Sequence, residues 1–190
     1  MDLFKETGAY LHGHFRLTSG LHSPEYLQCA KVLAHPFYAE RLGRQLAEKL
    51  RPLLEGAHVD AVVAPAMGGI VIGHEVARAL DTLSLFTERD AATNEMTLRR
   101  GFSIAPGAKT VVIEDVITTG GSTKEVVDLL RDMGANVLAA GSIIDRSAGR
   151  ADVGVKRVTL QELNPLAYNP VECPLCKEGL PVTKPGSRRA

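Results

Sequence analysis

The sequence carries no surplus of charge: 22 Lys and Arg stand against 22 Asp and Glu. General nucleic-acid binders usually carry a basic excess. A polyanionic ligand would therefore have to be held by local geometry, through backbone N–H groups and a few Arg residues. Cysteine is scarce and odd in number, with Cys29, Cys173 and Cys176, which argues against a disulfide framework and for a reducing compartment. No stretch approaches the ~18 consecutive apolar residues of a transmembrane helix. Met1-Asp2-Leu3-Phe4-Lys5 lacks the basic start and apolar run of a signal peptide. Internal repeats and low-complexity segments are missing too. With 45% hydrophobic and 23% charged residues over 190 positions, the chain reads as one soluble globular domain, expected in the cytoplasm.

The pattern along the chain alternates between two periods. Pro36 suits a first helical position, and Leu42, Leu46, Leu50 and Leu54 form one apolar stripe, which predicts a helix over 36–54. Short apolar runs at 59–65, 83–88, 110–117 and 137–145 predict strands, and helices are predicted over 69–80 and 122–133. Strands alternating with helices imply an α/β fold with a central, mostly parallel sheet flanked by helices. A small N-terminal hood over 1–35 and a Pro-rich C-terminal arm over 164–190 flank this 36–163 core. The polar segment 89–102 is either a mobile excursion or a β-hairpin.

The informative run is Val111-Val112-Ile113-Glu114-Asp115-Val116-Ile117-Thr118-Thr119-Gly120-Gly121-Ser122-Thr123. An apolar strand ends in two acids, a loop of glycines and hydroxyl residues follows, and a helix begins. Glycines permit positive φ and close ligand approach. Successive amides in such a turn form an anion nest, and the helix start adds the positive end of its dipole. With the hydroxyls of Thr118, Thr119, Ser122 and Thr123, this makes a phosphate-monoester cradle. Ser122 with Glu125 also fits a capping box. Glu114 and Asp115 stand where open α/β sheets bind ligands. There they can accept hydrogen bonds from ribose hydroxyls and steer a Mg²⁺ held largely by substrate phosphates. The G-x-x-x-x-G-K-[ST] P-loop pattern is not present.

This run resembles the 5-phosphoribosyl-1-pyrophosphate (PRPP) motif of the type I phosphoribosyltransferases, in which two adjacent acids end a strand and a T-x-G-x-[ST] loop holds the 5′-phosphate. Phe15 to Leu27 is similar to the F-x-L-x-S-G-x-x-S-x-x-Y hood segment of the orotate phosphoribosyltransferases. Ala64 to Ile70 resembles their pyrophosphate loop, Met96 to Phe102 a bacterial form of their flexible loop, and Ile144-Asp145-Arg146 their orotate-contacting strand end. The resemblance spans roughly residues 12–186. It implies PRPP contacts from Glu114, Asp115, Val116, Ile117, Thr118, Thr119, Gly120, Gly121, Ser122 and Thr123, with Met67 and Gly68 at the pyrophosphate. It also implies orotate contacts from Thr118, Arg146, Ser19 and Gly20, and catalytic roles for Asp115, Arg89 and Arg99. The activity implied is transfer of phosphoribose from PRPP to orotate in pyrimidine biosynthesis, with Mg²⁺ carried by PRPP, by a homodimer whose flexible loop reaches the neighbour's site.

The chain departs from that pattern in places. Met67-Gly68 stands where many relatives carry Lys, His22 where some carry Lys, and the segment between Arg89 and Arg99 holds neither Lys nor His. Arg89, Arg99 and Arg100 are the remaining pyrophosphate-contacting candidates. Arg146 offers a planar fork matched to an anionic base, or a salt bridge to Asp145 or Asp152. The pair Cys173-Pro174-Leu175-Cys176 reads as an unmetallated tail turn, since a structural zinc takes four ligands and only Cys29 and an unspecified His stand out as completing partners. His12, His14, His35, His58 and His74 show no evident partner in sequence. Two rival readings are a transferase for a purine or other base and a non-catalytic PRPP-sensing regulator. The absence of an aromatic beside Asp145-Arg146-Ser147 argues against a purine, and the neutral charge argues against a nucleic-acid-binding regulator.

Overall fold

The computed structural model describes residues 2–17, 19–164 and 166–185. These fall into two compact units, one of residues 1–35 with 164–190 and one of residues 36–163.

The first unit begins with helix α1 (Asp2–Glu6), whose Phe4 is buried. Strands β1 (Tyr10–Arg16) and β2 (His22–Leu27) form an antiparallel hairpin with a register shift between His12 and Phe15. A bulge of this kind re-aims side chains locally. The tip is a turn in which Gly20 has φ 84° and donates its N–H to the Leu17 carbonyl; Thr18 lies outside the described residues. Helix α2 (Cys29–Leu33) buries Cys29, Val32 and Leu33.

The second unit opens with α3 (Pro36–Leu54). Its expected Leu42, Leu46, Leu50 and Leu54 stripe is buried together with Ala39, Gly43 and Ala47. There follow β3 (Ala61–Pro65), α4 (Gly69–Leu80), β4 (Leu83–Arg89), β5 (Met96–Leu98), β6 (Lys109–Ile117), α5 (Gly121–Asp132), β7 (Asn136–Asp145) and β8 (Arg157–Glu162). The sheet order is β5-β4-β3-β6-β7-β8, with every pairing parallel except β4 with β5. All five residues of β3 are buried, as expected of a central parallel strand covered on both faces. The strand order reverses between β3 and β6. That places the carboxyl ends of two neighbouring strands at a topological switch point, where such sheets hold ligands.

Two details go beyond the sequence reading. The segment after Arg89 is a β-hairpin: Met96 pairs with Arg89 and is 6% exposed, so an apolar anchor holds it against the core. Strand β8 was not anticipated. It is an edge strand tied down by Lys49 Nζ donating to the Thr159 carbonyl at 2.8 Å and by the Ser142–Thr159 hydroxyl pair. In the first unit the arm returns through α6 (Pro174–Lys177). It adds single bridges to both hairpin strands, Phe15 with Thr183 and His22 with Tyr168.

Candidate active site

The carboxyl end of β6 carries the two acids. Glu114 is 9% exposed. Asp115 is half-buried and its Oδ1 accepts the Val116 N–H at 2.8 Å. Desolvation pushes the Asp115 carboxyl above the usual carboxylate range, because burial disfavours the charged form. No ion pair reaches Asp115 among the described residues. Its carboxylate faces the start of α4: a Cβ placed on Gly68 would stand 2.7 Å from both of its oxygens. The loop after β3 and the carboxyl end of β6 thus meet at Gly68 and Asp115. Met67, in that loop, is 73% exposed.

Beyond Ile117 the chain turns into the expected cradle. Thr118 and Thr119 are exposed. Gly120 takes φ 85° and caps α5, a left-handed conformation that a side chain would strain. A Cβ there would also approach Val153 Cγ1 at 3.0 Å. The first amides of α5 have no intrahelical acceptor and form the positive end of its dipole. Ser122 is partly exposed and Thr123 is buried. The capping box is not what starts this helix. Gly120 is the cap, without a side-chain bond, and Glu125 instead pairs with Arg89 of β4 at 2.8 Å. Val116 is half-exposed, whereas Ile117 is core, 1% exposed. Ile117 can offer a ligand only backbone, and its carbonyl already accepts the Arg146 N–H at 2.8 Å.

Three guanidinium candidates separate cleanly. Arg89 holds Glu125 and the Asn94 carbonyl. Arg100 makes a two-pronged pair with Glu88, both contacts at 2.8 Å, and lies over the Phe86 ring. Arg99 is exposed and carries no ion pair among the described residues. At the end of β7, Asp145 is 3% exposed and bonds Arg157 at 2.8 Å and the Ser147 N–H. Asp152 accepts the Gly154 N–H. Arg157 is thus the salt-bridge partner of Asp145, a pairing the sequence did not signal. Arg146 is partly exposed at the strand end. Ser19 is exposed and Gly20 half-exposed in the hairpin turn of the other unit.

A doubly covered parallel sheet with paired acids and an amide cradle at its switch point defines a class that binds a phosphorylated sugar. Residues 31–175 match the family described as the phosphoribosyl transferase domain. Over the full length, the chain is 50% identical to the orotate phosphoribosyltransferase of Desulforamulus reducens, covering 100% of this chain and 96% of that protein. It is 51% identical to that of Pelotomaculum thermopropionicum, covering 98% and 95%. The crystal structure of orotate phosphoribosyltransferase from Aeropyrum pernix superposes with a TM-score of 0.70 at 26% identity, covering 85% of this chain and 92% of that one. The chain belongs to the phosphoribosyl transferase domain family, in its orotate phosphoribosyltransferase branch. No described helix is long and apolar enough to cross a membrane.

Proposed function

We propose that this chain transfers the 5-phosphoribosyl group of PRPP to orotate, giving orotidine 5′-monophosphate and pyrophosphate, as a step of pyrimidine nucleotide synthesis in the cytoplasm. The observation that carries the reading is Asp115. It is a partly desolvated acid with no ion pair among the described residues, at a strand end, between an amide cradle and the Gly68 helix start.

The amides of Gly120, Gly121 and Ser122 and the hydroxyls of Thr118 and Thr119 bind the 5′-phosphate as anion-nest donors. Glu114 and Asp115 accept the ribose hydroxyls, which fixes the sugar relative to its phosphate. The donor set fits Mg²⁺: two carboxylate groups, one half-buried and without an ion pair among the described residues, are hard oxygen ligands that gain from a divalent ion arriving with the substrate. When bound, that ion neutralises pyrophosphate charge and supports its departure. The backbone around Met67 and Gly68 meets the pyrophosphate. Arg99, the uncommitted cation of the hairpin, stabilises the charge that develops on it. Arg146 presents its fork to the anionic base, and Ser19 and Gly20 contribute hood donors to orotate. Orotate arrives as an anion, so positioning and exclusion of water are the main catalytic demands. Arg89 acts from the start of the hairpin, which in a homodimer extends toward the neighbouring site.

The deciding experiment incubates the protein with PRPP, Mg²⁺ and one of orotate, adenine, hypoxanthine or uracil. Loss of orotate absorbance with equimolar pyrophosphate release is the expected result. Turnover of another base in place of orotate would overturn the assignment.

A further inference from the structure

We propose that His14, His22, Cys173 and Cys176 form a Zn²⁺ site that fastens the C-terminal arm to the N-terminal hairpin. All four belong to the first unit, and the proposal stands independently of the active-site reading.

One potential ligand atom from each residue lies within 4.8 Å of every other. Cys173 Sγ is 3.6 Å and Cys176 Sγ 3.7 Å from His14 Nε2, and Cys176 Sγ is 3.3 Å from His22 Nδ1. With Zn–S about 2.3 Å and Zn–N about 2.0–2.1 Å, a tetrahedron has N···S edges of about 3.6 Å. The three N···S separations are therefore close to those of ligands around a common centre, and the two imidazole nitrogens, 2.8 Å apart, would open by about 0.5 Å to admit the ion. The spacing agrees as well: a C-x-x-C pair brackets the first turn of α6. The histidines sit on neighbouring strands, with Arg16 facing His22 and His14 two residues before Arg16, which makes them diagonal neighbours on one face. Cys29, the partner suggested by sequence, is not in the cluster. His14, which looked partnerless, is at its centre.

Hydrogen bonding alone does not account for the arrangement. His14 Nδ1 lies 2.8 Å from the Leu180 carbonyl, an acceptor only, so Nδ1 carries the proton and donates. A neutral His14 then has one lone pair, at Nε2. Three groups converge on it: His22 Nδ1 at 2.8 Å and both thiols. One lone pair cannot serve three donors in a site where His14, His22 and Cys173 are 5%, 7% and 0% exposed. A central cation resolves this, with the Leu180 carbonyl fixing the imidazole tautomer as outer-shell partners of metal-bound His do. Two thiolates and two neutral imidazoles balance a divalent ion, and this mixed soft and borderline set selects zinc. Backbone bonds flank the cluster on both sides, from Tyr168 to His22 and from Thr183 to His14. The ion thus closes a staple that the arm's hydrogen bonds have already aligned.

The test uses the full chain without a histidine tag, purified anaerobically. Elemental analysis should give about one zinc per chain after exhaustive dialysis, released together with two newly reactive thiols on mercurial titration. Replacement by Co²⁺ should give the intense visible bands of tetrahedral coordination with a sulfur-to-cobalt charge-transfer band. Stripping the ion should lower the melting temperature by about 5 °C or more. Cys173→Ser and Cys176→Ser should lose the metal, whereas His58→Ala, an exposed histidine elsewhere, should retain it. If the variants fail to fold, the cobalt spectrum of the unaltered chain still decides. Substoichiometric metal with no charge-transfer band, or a Cys173–Cys176 disulfide in the anaerobic protein, would overturn the proposal.

Discussion

Gly68→Ala tests the junction between the loop after β3 and the end of β6 with the smallest possible change. The backbone at Gly68 is already helical, with φ −60° and ψ −39°, so alanine fits without backbone strain. Its methyl, however, would lie 2.7 Å from both Asp115 oxygens, against about 3.3 Å for the closest comfortable C···O approach. The carboxylate must retreat by roughly 0.6 Å. Misplacement of a catalytic group by about 1 Å can cost about 100-fold, so kcat/KM for PRPP is expected to fall roughly ten- to hundredfold, or ~1.4–2.7 kcal/mol. Stability should barely move. Alanine is a poorer cap than glycine by up to about 1 kcal/mol, while the reduced entropy of the unfolded chain returns ~0.4–1 kcal/mol.

The assay is initial velocity by orotate absorbance, paired with urea unfolding of the same preparations. The double variant with Asp115→Asn isolates the route. If the methyl acts through Asp115, it should have little further effect in the Asn background, giving a coupling energy well above the ~0.5 kcal/mol of independent sites. A wild-type kcat/KM in Gly68→Ala, or fully additive losses, would refute the claim that this contact positions the acid.

Asp115→Asn itself should cut turnover strongly yet raise stability at neutral pH. The folded-state pKa of Asp115 is raised, so the folded chain holds this proton more tightly than the unfolded one. The associated stability is full below the unfolded value near ~3.9 and is lost as pH rises through the folded value. The excess stability of the Asn variant should therefore be large at pH 7 and vanish near pH 3, measured by urea midpoints; a gap that widened in acid would contradict it. Arg99→Ala should lower kcat/KM for PRPP about tenfold with a stability change under ~0.5 kcal/mol, as for an exposed residue. A larger effect from Arg100→Ala, whose guanidinium is committed to Glu88, would reverse that ranking. Gly43→Ala sets two effects against each other. Helix propensity favours alanine by about 1 kcal/mol, but the new methyl would lie 2.4 Å from Glu75 Cβ and 2.7 Å from its backbone carbon, which no rotamer relieves. Overpacking of this kind typically costs about 1–3 kcal/mol, so net destabilisation is expected in urea unfolding, and a stabilised variant would show that α3 and α4 do not pack this closely.

What the sequence made legible was local. The Leu42–Leu54 stripe has a fixed period, so α3 was found with its ends. β6 and α5 were placed within a residue or two because a β-branched run and a glycine pair mark the junction. What stayed hidden depends on contacts distant in sequence. β8 has only Val158 and Leu160 as apolar residues and exists because β7 offers an edge. Glu125 looked like a capping partner three residues from Ser122, but the Arg89 guanidinium on β4 competes for it. The C-x-x-C pair lacked visible partners because its histidines arrive from a bulged hairpin some 150 residues earlier in the chain.

The two acids at the ends of adjacent parallel strands show why the proposed function rests on Asp115 and not on Asp145. Val116 pairs with Ile144 and Ile117 with Asp145, so the two acids lie two residues apart in register, both at the carboxyl end of the sheet. Asp145 is almost fully buried, but the protein itself supplies its counter-charge in Arg157 and a donor in the Ser147 amide. Its place in the fold is structural: it ties β7 to β8. Asp115 has the same chemistry and a neighbouring position, but among the described residues it meets the Val116 amide of its own strand, an adjacent Glu114 and a glycine opposite, with no ion pair. Burying a carboxylate without a cation opposes folding. An arrangement that a single Lys or Arg could have relieved fits the proposed function, in which a cation and hydroxyl donors come from outside. The conflict between local stability and local structure is the physical signature of a site completed by its ligand. On this argument, saturating PRPP with Mg²⁺ should stabilise the wild-type chain more than Asp115→Asn, and equal stabilisation of both would remove Asp115 from the binding site.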